Sequence, residues 1–209
     1  MKTINRAGLA YASSLLGLVL FSGCTSATVN IDTANDTAGA VAGLDYRDLR
    51  KVANTMLNSL MASGRLNHPD PRAMYVLAIS KVKNDTMQKF DTDTLTLQIT
   101  EGMMESGRVT VTSAIAASED NRDELLDGAR SLRNDGEFNQ STVAKKGQMV
   151  APDLSLKGKI TQKEIRMDKG LKQIEYYFML QLTDIKTGLQ LWQKTEFLGK
   201  RADKNTPSW

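Results

Sequence analysis

The stretch LQLTDIKTGLQLWQKTEF, Leu180 to Phe197, decides the fold. Apolar and polar residues alternate on both sides of Lys186-Thr187-Gly188, the pattern of two half-buried strands joined by a tight hairpin. The same period of two extends upstream to Leu154. Leu154, Leu156, Lys157, Ile160 and Ile165 make one predicted strand, Gln173 to Ile185 a second, rich in Tyr and Phe, and Gly188 to Leu198 a third. Asp168-Lys169-Gly170 supplies the other turn. The last third of the chain is therefore expected to be an antiparallel meander.

Ahead of the meander the period lengthens. Leu49, Val52, Ala53, Met56, Leu57, Leu60 and Met61 recur at three- and four-residue steps, one face of a helix with Asp45 as cap and Ser63-Gly64 as stop. The turn-rich NHPDP follows, then a short apolar core, Tyr75 to Ile79, that reads as a strand. Residues 92–106 carry both signals. Thr94-Leu95-Thr96-Leu97 alternates like a strand, but Leu95, Ile99, Met103 and Met104 favour a helix capped by Asp91, and helix is the expectation. Arg108 to Ile115 reads as another strand. Ser118 to Asn134 reads as a helix with Leu125, Leu126, Ala129 and Leu132 inward, its acidic opening suited to the positive end of the helix dipole. One helix, then β, α, β, α and a meander, predicts a single α+β domain over residues 44–209. Its sheet is expected to be mixed, of about four to five strands, with helices packed on it.

The N-terminal end is of another kind. Lys2 and Arg6 precede an uncharged, mostly apolar run from Ala7 to Phe21, the layout of a secretory signal peptide over residues 1–23. The run is shorter than the roughly 20 apolar residues a membrane-spanning helix needs. The lone cysteine, Cys24, follows Phe21, Ser22 and Gly23, which resembles the bacterial lipobox, with Phe21 where Leu is usual. That resemblance implies cleavage between Gly23 and Cys24, an S-diacylglycerol on the Cys24 sulfur and an N-palmitoyl group on its new amino terminus. Several acyl chains anchor far better than one, since each buried methylene contributes ~0.8 kcal/mol. Thr25, not Asp, follows, so an outer-membrane address is implied. Residues 24–43 are small and polar, include four threonines after Cys24 and lack aromatic groups, as suits a flexible tether. Fully extended, ~20 residues span at most about 65–70 Å, and a relaxed chain ~25 Å.

The whole chain has 27 basic and 24 acidic side chains, but Lys2 and Arg6 leave with the leader, so the mature chain is only one unit positive. Such a balance lacks the dense positive charge that nucleic acid demands, and no nucleic-acid partner is expected. With Cys24 modified no thiol remains for disulfides, metal or redox chemistry. Nor do the residues suggest catalysis. The single histidine, His68, lies in the NHPDP loop, and no nucleophile elbow, P-loop, dinucleotide fingerprint or HExxH occurs. Asp91 and Asp93 could hint at a cation, yet the calcium loop with its terminal Glu is missing and a solvated helix start is the plainer reading. No catalytic residue, metal ligand or cofactor is assigned. Met103, Met104 and the other methionines read as core filler. Trp192 reads as a core anchor rather than a binding hot spot, and of the adjacent Tyr176 and Tyr177 one must face in and the other out.

The lipobox, the tether, the helix running into MASGRL, the helix closing on MMESGRV, DLSLKGKI at the start of the meander and TGLQLW at its end together resemble the LpoB family of penicillin-binding protein activators. The resemblance covers residues 44–199. It implies a domain similar to the N-terminal domain of TolB, and a non-enzymatic outer-membrane lipoprotein facing the periplasm. Its partner would be the periplasmic accessory region of a bifunctional class A penicillin-binding protein, which it would bind as a monomer and activate in peptidoglycan synthesis. A CsgG-like structural component of a secretion or surface-organelle complex is the alternative. The proline-free tether limits reach to roughly 110 Å even with a domain ~40 Å across, so the synthase would have to meet it partway.

Overall fold

The computed structural model describes residues 41–115 and 123–206. Gly23, Cys24, the leader and most of the tether lie outside the described residues, as does the start of the helix expected from Ser118. The first described element, α1, runs from Tyr46 to Ala62. Asp45 caps it as expected, accepting from the Arg47 and Asp48 amides, while the Asp48 side chain accepts from the Asp45 amide to complete a capping box. Ser63 is the C-cap, and Gly64 follows at φ 69°, a conformation that costs glycine little. The predicted apolar stripe is the buried face: Val52, Ala53, Met56, Leu57 and Leu60.

Strand β1 is Tyr75–Ile79, followed by a three-residue strand β2, Lys83–Asp85. Helix α2 spans Asp93–Glu105, so the helical reading of this ambiguous segment holds. Its N-cap residue is Thr92; Asp91 contributes by accepting from the Asp93 amide at 2.8 Å. Leu95, Ile99 and Met103 line one face, and Thr96 is buried with them, its hydroxyl donating to Thr92 O and accepting from Val82 N. Strand β3 is Val109–Val111, then come helix α3, Glu124–Ser131, and the long strands β4 (Leu154–Arg166), β5 (Leu171–Asp184) and β6 (Gln190–Asp203). Both predicted turns form, with positive φ at Lys169, Gly170 and Gly188. Gly199 lies inside β6 opposite Glu175.

The sheet has six strands, one more than the upper expectation. The extra strand is β2, whose polar Lys-Asn-Asp carries no hydrophobic period to announce it. The order is β3-β1-β4-β5-β6; β3, β1 and β4 are parallel, and β4, β5 and β6 antiparallel. The chain of β1 and β2 runs along one edge of β4, pairing first with Leu154–Leu156 and then with Lys159–Thr161. Gly158 sits between these two stretches because a Cβ there would lie 2.8 Å from Val82 and 3.0 Å from Leu180.

Registers fix which side chains share a face. Leu154, Leu156 and Ile160 of β4 stand with Ile174, Tyr176, Phe178, Leu180 and Leu182 of β5, all buried against α1 and α2. Each aliphatic or aromatic side chain so buried contributes about 1.5–3 kcal/mol. Trp192 and Leu198 of β6 pack at the margin of this core, consistent with Trp192 as an anchor. Helix α3 departs from expectation. None of its residues is buried and Leu125 is 80% exposed, because α1 and α2 already cover the core face and the α3 segment closes on itself. Arg133 Nε donates to Ala144 O at 2.6 Å, and Gln140 Nε2 donates to the carbonyls of Leu132, Asp135 and Phe138. The methionines also divide: Met103 is fully buried, but Met74, Met87, Met104 and Met149 are exposed and fill no core.

Candidate interaction surface

The odd-numbered positions of β4 and β5, and of β6 from Gln193 onward, form the other face of the sheet; Leu191, at the register shift between β5 and β6, packs against the core instead. Alternation sends them there: residues next in sequence point to opposite sides, and one side is taken by the helices. All of these positions except Glu175 are at least partly exposed. At the centre, Tyr177 stands opposite Phe197 with ring centroids 5.5 Å apart and planes tilted by 51°. Phe197 is 54% exposed. Met179 follows Tyr177 along β5, opposite Thr195.

Charge borders this apolar centre. Lys157, Lys159 and Lys163 share the odd face of β4, opposite Gln181, Met179 and Glu175 respectively. Lys159 is engaged with Asp85 of β2 at 2.6 Å, which holds the Asp85 carboxyl below its usual range. The Tyr177 hydroxyl donates to Glu175 at 2.7 Å, and Gln173 Nε2 donates to the other carboxylate oxygen at the same distance. These bonds lower the Glu175 pKa, and the same contact raises that of Tyr177. Glu175 thus anchors the Tyr177 hydroxyl and with it the direction of the side chain. The result is a pre-ordered aromatic pair with lysines beside it, suited to contacting another protein.

The remaining sequence candidates take quiet places. His68 Nδ1 accepts from the Asp70 amide at 3.0 Å and its ring stands edge-on to Tyr75, a local loop arrangement. Asp93 pairs with Lys81 at 2.8 Å rather than with Asp91 around an ion. Among the described residues no group of three or more His, Cys, Asp or Glu side chains could hold a metal, and no helix is long and apolar enough to cross a membrane. Tyr176 is the inward tyrosine; burial first, and then the charges of Asp48 and Glu164, push its pKa up to about 12. The space between α1, α2 and the sheet is a gap of about 10 Å³ lined by Val52, Met56, Leu95, Ile99 and Phe178. Such a volume holds at most one water and offers it few polar partners. Lys157 carries no sequence signal for the open face, because its side of the sheet is set by the pairing of β4 with β5, which places it opposite Gln181.

The sequence model of the family described as peptidoglycan-synthase activator LpoB matches residues 48–197. No curated protein matches the chain. Among solved structures, the C-terminal domain of LpoB from Salmonella enterica is 12% identical, with a TM-score of 0.42 over 72% of this chain and 98% of that one. The corresponding domain from Escherichia coli is 12% identical, with a TM-score of 0.39 over 73% and 99%. The longer E. coli LpoB solved by NMR is 13% identical, with a TM-score of 0.36 over 96% and 91%.

Proposed function

This chain belongs to the LpoB family of peptidoglycan-synthase activators, and from that premise we propose that it is an outer-membrane lipoprotein that docks on a class A penicillin-binding protein and raises its output. The Cys24 sulfur takes an S-diacylglycerol group, the leader is then cut between Gly23 and Cys24, and the new amino terminus receives an N-palmitoyl group. The domain beyond the tether is a binding module and not an enzyme. The observation that carries the docking surface is the open sheet face. Its Tyr177-Phe197 pair has an exposed Phe197 and a half-buried Tyr177 held by Glu175, and it is bordered by Lys157 and Lys163. Such a face fits the periplasmic accessory region of the synthase if that region presents an apolar patch near carboxylates. The CsgG-like assembly reading gains nothing from the family match and is not favoured.

The test is a glycosyltransferase assay of a purified class A synthase with and without the detergent-solubilised full chain. The expected result is a faster rate that is lost when Phe197→Asp is introduced. Unchanged rate with the native chain would overturn activation; a native-like rate with Phe197→Asp would overturn the docking face alone. Cys24→Ser is expected to abolish incorporation of labelled palmitate and to leave the leader uncut, as read by mass spectrometry.

A further inference from the structure

The last strand has a free edge. Among the described residues β6 forms one ladder, with β5, and its other side has no strand partner over Gln190–Asp203. The terminal hairpin bonds identify which groups it presents. Lys204 N donates to Gly170 O and Asp184 N to Leu189 O, so the even-numbered residues of β5 face β6 in hydrogen-bonded pairs. By alternation, the N–H and C=O groups of Gln193, Thr195, Phe197, Gly199 and Arg201 point out from the edge.

A long edge of this kind is a template for another strand. The opposite edge of the sheet is β3, only three residues long, so repeated head-to-tail addition has almost nothing to pair with. Self-pairing is different. A two-fold axis perpendicular to the sheet keeps each side chain on its own face only if the paired residue numbers add to an even total. With the axis through Thr195, Lys194 faces Glu196 of the second copy and Glu196 faces its Lys194. On the same face Trp192 meets Leu198 in both directions, and no like charges are opposed. With the axis one residue earlier, Lys194 faces Lys194; one residue later, Glu196 faces Glu196. An axis at Leu198 sets Glu196 against Lys200, but Lys200 is already held by Asp48 and the Val41 and Gly43 carbonyls. Lys194 and Glu196 are only loosely joined within one chain, at 3.8 Å, and each is about a third exposed.

We propose that the free edge of β6 pairs with β6 of a second copy, antiparallel about Thr195, to give a closed dimer with one sheet continuous through both. The pairing is isologous and stops at two copies. It leaves both open faces on the same side, so it does not compete with the docking face. The single-copy form that the family resemblance implies becomes the low-concentration member of an equilibrium.

The test uses the full chain in detergent with Cys24→Ser, so that an introduced cysteine is the only thiol. Thr195→Cys is expected to form a disulfide-linked dimer under mild oxidation, because directly opposed Cα atoms lie about 5.5 Å apart, within disulfide range. Gln193→Cys alone is expected not to, but to cross-link when mixed with Phe197→Cys. By sedimentation, Lys194→Glu and Glu196→Lys each abolish the dimer, and the double exchange restores it, with circular dichroism confirming the fold. A chain that remains single at every accessible concentration, a dimer indifferent to Lys194→Glu, or equal cross-linking at positions 193 and 195 overturns the proposal. Synthase activation by the native chain is scored separately and is unaffected by any of these outcomes.

Discussion

Lys200, near the end of β6, is ion-paired with Asp48 in the first turn of α1, and its ammonium also donates to Gly43 O at 2.6 Å and Val41 O at 3.0 Å. Both side chains are largely shielded, at 10% and 16% exposure. Asp48 is also the residue that completes the capping box with Asp45. One cation therefore ties together the last strand, the first helix and the chain that leads back toward the tether.

Lys200→Met is expected to lower stability by about 3 kcal/mol, because removing one partner leaves the shielded carboxylate uncompensated. Urea unfolding measures it. Loss below about 0.5 kcal/mol would mean the contact is solvated, in the range of a surface ion pair. Hydrogen exchange at Ala42–Leu44 is expected to quicken in the same variant.

Acid is expected to weaken this corner. Burial alone would raise the Asp45 pKa, but the Arg47 hydrogen bond, the Asp48 amide and the charges of Lys200 and Arg47 together lower it. A carboxyl whose folded pKa is depressed contributes stability that is fully present above its unfolded value, about 3.9, and is lost as pH falls through the folded value. Asp45→Asn keeps a competent cap but lacks the charge. Its stability should fall less steeply than that of the native chain below about pH 5, as read by thermal unfolding over a pH series.

The docking face predicts a separation of binding from stability. Phe197→Ala is expected to weaken synthase binding by at least about tenfold, the scale of an aromatic hot spot. Its unfolding midpoint should barely move, since the ring is 54% exposed. Leu182→Ala, from the opposite face of the sheet, should do the reverse and cost about 2–5 kcal/mol of stability. Surface plasmon resonance and urea titration on the two variants decide it.

Helix α3 offers a sharper contrast. Leu125→Ser is expected to change stability by no more than about 0.5 kcal/mol, whereas Leu95→Ala in α2 should cost about 2–5 kcal/mol. Equal losses would show that α3 packs on the core after all.

The Gly158 position tests the passage from β1 to β2. Gly158→Ala should destabilise by about 1–3 kcal/mol, because the added methyl meets Val82 and Leu180 in a filled core.

Much of the architecture could be read from residue order. The period of two after Leu154, the two glycine turns and the Asp45 cap are local signals, and each acts through backbone geometry within a few residues. Those features of the chain determined the helix-then-meander arrangement. What they could not determine was which positions meet at a distance. Leu125, Leu126, Ala129 and Leu132 have the spacing of a buried face, but the core side of the sheet was already filled by α1 and α2, and spacing cannot count places in a core. Lys-Asn-Asp at 83–85 became a strand only because β4 extended past β1 and offered unpaired backbone. The open face, the Tyr177-Phe197 contact and the Lys200-Asp48 pair exist only once strand register sets remote residues side by side. Burial and pairing depend on the whole chain at once, which is why the tertiary structure alone could decide them.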